Sequence, residues 1–74
     1  MNNKSISLNN IVWKEGKYYV SQCLNFGISS FGKSKKEALS NLKEAIELYL
    51  ENNSKPKFTR INNLEVVKSK FTNA

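Results

Sequence analysis

Histidine and aspartate are both missing from the 74 residues, and all six acidic side chains are glutamates. The commonest general base, the usual metal ligand and the acid of most catalytic triads are therefore absent. Four of the glutamates (Glu37, Glu44, Glu47, Glu51) fall in one segment, leaving Glu15 and Glu65 outside it. A metal-assisted nuclease needs several carboxylates converging from different elements, and this distribution does not supply them. The sequence thus predicts a protein that is not an enzyme and holds neither metal nor cofactor. Cys23 is the single cysteine, so no internal disulfide forms, and its apolar surroundings, "VSQCLNF", predict a buried thiol. No apolar run approaches the roughly 18 residues of a membrane span, and "MNNKSISLNN" lacks the apolar core of a secretory signal. A cytoplasmic protein with no membrane partner is expected.

The hydrophobic share, 39%, is enough for a folded domain and too high for a disordered tail. A chain this short buries only about 60–65% of its unfolded surface, so its core is thin and self-association is favourable. A homodimer or higher homo-oligomer is expected, through sheet extension or face packing. The net charge of +6 is uneven: residues 1–33 carry +3, residues 34–53 carry −1 and residues 54–74 carry +4. Basic charge at both ends has two readings, solubility and nucleic-acid contact.

"IVWKEGKYYV" is a hairpin signal, with two β-rich runs around a turn containing Gly16. With Glu15 and Gly16 as turn residues, Trp13 would oppose Tyr18, and Ile11, Trp13, Tyr18 and Val20 would share one face. Upstream, Ile6 and Leu8 fit an edge strand. "FGISSFG" reads as a third short strand between glycines; its spacing matches neither a Walker motif nor GxGxxG. "GKSKKEALSNLKEAIELYLENN" begins with a capping box, Ser34 with Glu37. Ala38, Leu39, Leu42, Ala45, Ile46, Tyr49 and Leu50 then fall within an arc of about 140°, the stripe of a helix packed on one side. Leu48 lies off that stripe. Asn52 or Asn53 offers a left-handed cap, and Pro56 prevents continuation. "KFTRINNLEVV" reads as a last strand, with a possible break at Asn62 and Asn63. The expected fold is α+β, in the order β-β-β-α-β: a small, antiparallel-rich sheet with one helix on one face. Residues 1–70 form a single domain in this reading, and residues 71–74 a frayed tail.

Over residues 11–51 the chain resembles the HicB antitoxin family in its short, single-domain form. The resemblance rests on Tyr18, Tyr19 and Val20, then Cys23, then Gly27, Ile28, Ser30 and Gly32. It continues through Ser34, Glu37, Ala38, Leu39, Asn41, Glu44, Ala45 and Tyr49. It implies a partial ribonuclease-H-like fold without catalytic carboxylates, in a type II antitoxin that binds and masks a HicA-type mRNA interferase toxin. Many HicB-like proteins add a C-terminal DNA-binding segment; here too few residues follow the last expected strand for one, so no C-terminal DNA-binding domain is expected. The charge of +6 also departs from the acidic surface that would suit a basic toxin.

The expected partner interface is the aromatic hairpin (Trp13, Tyr18) or the outer helix flank (Glu44, Glu47, Leu48, Glu51). The alternative is a small basic nucleic-acid-binding domain. There Trp13, Tyr18 and Tyr19 would stack on bases among Lys4, Lys14 and Lys17, and Lys55, Lys57 and Arg60 would extend the phosphate path. A third reading is a stand-alone dimerising domain without a toxin.

Overall fold

A computed structural model describes residues 5–72. Strand β1 (Asn10–Glu15), strand β2 (Tyr18–Cys23) and strand β3 (Ile28–Gly32) form an antiparallel sheet in sequence order, followed by helix α1 (Lys35–Glu51). This is the α+β arrangement expected from the sequence. Three of its details differ.

The first is the hairpin turn. Glu15 pairs with Tyr18, Lys14 with Tyr19 and Trp13 with Val20, so Gly16 and Lys17 are the turn residues, not Glu15 and Gly16. Of the two only Gly16 has a positive φ, 61°, as a type II′ turn requires of its first central residue. Sliding the turn by one residue shifts the pairing by two. The parity of both strands survives, and Ile11, Trp13, Tyr18 and Val20 still share a face.

The second concerns the flanking segments. Residues 5–9 form no strand; Leu8 packs on the core and Ile6 is exposed. The last strand expected within residues 57–67 is likewise not formed. Its first half is drawn to the sheet end by side chains. Phe58 packs edge-on against Phe26 with ring centroids 5.4 Å apart, and the Tyr49 hydroxyl accepts from the Lys57 amide. Asn63 then takes φ 55°, a left-handed position that interrupts any strand.

The third is the helix ends. Ser34 Oγ accepts from the Glu37 amide at 3.0 Å, as expected, but Glu37 Oε1 accepts from the Lys33 amide at 2.7 Å and not from Ser34. At the other end Asn52 has φ −98° and Asn53 is not among the positive-φ residues. In place of a left-handed cap, the Asn52 and Asn53 side-chain amides donate to the Leu48 and Tyr49 carbonyls. Free helix carbonyls are satisfied by side chains where no glycine follows.

Helix α1 lies over β2 and β3. The fully buried stripe is narrower than the apolar pattern suggests: Ala38, Leu42 and Ile46 are buried, while Leu39 and Leu50 sit at the exposed margins. Close approach is set by Gly32, where an added Cβ would stand 2.7 Å from the Ala38 backbone nitrogen. The buried Ser21 hydroxyl donates to the Ala38 carbonyl at 2.6 Å, locking strand to helix. Cys23, fully buried as expected, joins Leu42 and Ile46 in the core, with Leu8, Phe26 and Ile28 at its edge.

Candidate protein-docking face

The register assigns a face to every strand residue. Ser21, Cys23, Ile28 and Gly32 point towards the helix. Ile11, Trp13, Glu15, Tyr18, Val20, Gln22, Ser29 and Phe31 point the other way. Among the described residues nothing covers this second face: Trp13 is exposed, Tyr18 is 51% exposed and Phe31 is 64% exposed. The Tyr18 and Phe31 rings meet edge to face with centroids 6.2 Å apart, a geometry that fixes both side chains without burying them. They wall a shallow groove of about 460 Å³ that also takes in Glu15, Val20, Ser29 and Ser30. Among the strand residues of this face Glu15 is the only charged one. The face is therefore aromatic and apolar around Trp13, Tyr18, Val20 and Phe31, with a single carboxylate at the hairpin end and the uncharged Gln22 and Ser29 at the other.

The two groups expected at a partner interface lie on opposite sides of the molecule. Trp13 and Tyr18 are on the open sheet face, whereas Glu44, Glu47, Leu48 and Glu51 are all exposed on the helix, beyond the sheet's other face. One flat partner contact cannot include both. Phe31, the most exposed aromatic of the open face, was not singled out by the sequence. Read in isolation, "FGISSFG" alternates without saying which face the helix will take; pairing Phe31 with Val20 decides it.

The residues expected to line a nucleic-acid path are also dispersed. Lys14 and Tyr19 are cross-strand partners on the helix side, with Nζ 6.0 Å from the ring centroid. Trp13 and Tyr18 face the opposite way, and Lys17 is in the turn. Lys55, Lys57 and Arg60 follow the helix and lie towards the other end of the sheet, where residues 57–59 meet Tyr49, Phe26 and Asn25. Lys4 lies outside the described residues.

No pattern in the sequence singles out Asn25, which organises that end. Only 2% exposed, its Oδ1 accepts from the Asn9 amide at 2.6 Å, and its Nδ2 donates to the Thr59 carbonyl at 2.8 Å and to Asn9 Oδ1 at 3.2 Å. Its own carbonyl accepts from the Thr59 amide at 2.8 Å. One buried amide thus ties the entry to β1, the β2–β3 turn and the segment after the helix into a single joint. Such a residue looks like an ordinary turn asparagine until the chain is folded.

Among the described residues no helix is long and apolar enough to cross a membrane, and no cluster of three His, Cys, Asp or Glu side chains is placed to hold a metal ion. The chain belongs to a family of unknown function, DUF7387, whose pattern matches residues 3–73. No curated protein and no solved structure matches it significantly.

Proposed function

We propose that this chain is a non-catalytic, cytoplasmic protein-binding module that docks another protein on its open sheet face. The partner is a small toxin of the HicA type, whose active site the face covers. The observation that carries this reading is the exposed aromatic set Trp13, Tyr18 and Phe31 on one side of a sheet whose other side is already filled by the helix. Tryptophan and tyrosine dominate the energetics of protein interfaces because they bring large, rigid apolar area with a polar tip. The HicB-like string from Tyr18 to Tyr49 supports the choice of partner.

The mechanism is steric. The docking surface carries one charge, so affinity comes from apolar burial and not from ion pairs, and the net charge of +6 resides elsewhere. A complex of this kind resists salt, whereas nucleic-acid binding weakens steeply with it. The test is coexpression with the product of the adjacent reading frame, followed by pull-down at low and high salt. The expected result is a stoichiometric complex that survives high salt and is weakened at least tenfold by Trp13→Ala combined with Phe31→Ala, the loss of a hot-spot pair. Recovery of RNA or DNA alone, lost at high salt, would overturn it in favour of the basic surface.

A further inference from the structure

The molecule exposes far more surface than its mass requires. Its accessible area is 6753 Å², against about 4,700 Å² for a compact monomer of this mass. The excess, about 2,000 Å², is larger than the roughly 800 Å² that each partner buries in a stable complex. Much of it lies after Ile61. Val66 is 84% exposed, Val67 76% and Phe71 90%, with Leu64 also exposed. The longest dimension is 57 Å, about twice the ~26 Å length of a 17-residue helix. A segment bearing four large apolar side chains thus carries them into solvent, while the chain before it is held to the body by Asn25, Phe58 and Tyr49.

We infer that residues 62–72 are an exchange arm, and that the arm of each protomer lies across the open sheet face of a second copy of this chain. Three observations select a second copy. The ten residue-to-residue steps from Ile61 to Phe71 reach about 33 Å when extended, enough to cross a neighbour's six-residue strands, about 20 Å long. The arm offers Leu64, Val66, Val67 and Phe71 where the face offers the Tyr18–Phe31 groove, so each side has what the other lacks. Lys68 and Lys70 follow the two valines and outweigh Glu65, which precedes them, leaving the arm at a net +1; the face has Glu15 as its one charge, of the opposite sign. A reciprocal exchange uses this pairing twice under two-fold symmetry, so that the contact closes at two copies. The inference rests on the reading of the open face as a protein-docking surface and names its occupant in the isolated protein. An incoming heterologous partner must then displace the arm, which makes the arm a competitor that sets the threshold for binding.

Cys23 is fully buried, so introduced thiols can be read without interference. A chain carrying Phe71→Cys is mixed with a mass-tagged chain carrying Ser29→Cys, and mild oxidation with oxidised glutathione follows. Ser29 lines the groove; a Ser40→Cys chain, substituted at an exposed helix position, serves as control. The expected result is a disulfide between the two different chains for the Ser29 pair and none for the Ser40 pair. In parallel, Val66→Asp with Val67→Asp, both at exposed positions, should weaken dimerisation at least tenfold by light scattering while leaving the circular dichroism unchanged. A monomer at every concentration, or a dimer without the Phe71–Ser29 cross-link, would overturn the inference. If such a protein still retains the product of the adjacent reading frame, the docking face stands without the arm; if Trp13→Ala and Phe31→Ala leave that capture intact, the docking reading itself fails.

Discussion

Single side chains carry much of this structure because there are few of them inside. Gly32 is the clearest case. Its backbone does not use the left-handed region; what it supplies is the missing Cβ, which would meet the Ala38 nitrogen at 2.7 Å and the Glu37 carbonyl carbon at 2.9 Å. Both are backbone atoms of the first helical turn and cannot rotate away. Gly32→Ala must therefore push the helix off the sheet and should cost about 2 kcal/mol, within the range of overpacked cores, as read from urea denaturation. Gly16→Ala has open space around it and is penalised only by its φ of 61°; it should cost about 1 kcal/mol. The order of the two variants is the test, because equal effects would mean that close packing at Gly32 is not what limits the approach. Asn25 acts differently. Asn25→Ala removes three hydrogen bonds, two of them to Asn9 and one to the Thr59 carbonyl. It should cost about 2–4 kcal/mol for the stranded buried groups and should speed hydrogen exchange at the Thr59 amide more than at amides in the middle of α1. Uniform acceleration would argue against a local joint.

At the level of elements, the sequence reads well where one local signal suffices. The α1 start is fixed by Ser34, whose oxygen accepts from the Glu37 amide, and Ser34→Ala should cost about 1 kcal/mol of stability in thermal denaturation. The hairpin was legible because β-branched and aromatic residues flank a glycine, and its faces were legible because parity is the same wherever a two-residue turn is placed. The failures share a cause: each needed a long-range partner. "KFTRINNLEVV" has the composition of a strand, but a strand needs an edge to pair with. Here Asn25 and Phe26 hold residues 58 and 59 at the sheet end, and Asn63 turns the chain away. The apolar stripe of the sequence is wider than the buried stripe of the helix because the sheet beneath it has only three strands and cannot cover Leu39 and Leu50. Phe31 and Asn25 were missed for the same reason: strand pairing gives the first its face, and tertiary contacts give the second its partners.

For the whole molecule the decisive quantity is the imbalance between core and surface. Among the described residues four hydrophobic side chains, Cys23, Ala38, Leu42 and Ile46, are buried, whereas five aromatics (Trp13, Tyr18, Phe31, Phe58 and Phe71) remain exposed. A chain of this length is expected to be stable by only about 4–11 kcal/mol. Removing Leu42, the largest fully buried side chain, by Leu42→Ala should cost about 3 kcal/mol, much of that total. Stability that the isolated fold lacks can come from association, because any species that binds only the folded state raises its apparent stability by mass action. If the arm of one copy covers the face of another, the melting temperature must rise with protein concentration. The same series on the Val66→Asp, Val67→Asp protein must be flat, since those side chains are 84% and 76% exposed within the protomer and lose mainly the contact with the second copy. Scanning calorimetry over a hundredfold range of concentration reads both. A wild-type Tm independent of concentration would show that the thin core suffices alone and would leave the exposed arm without a role in stability. A wild-type slope that persists in the double variant would place the association on some surface other than the arm.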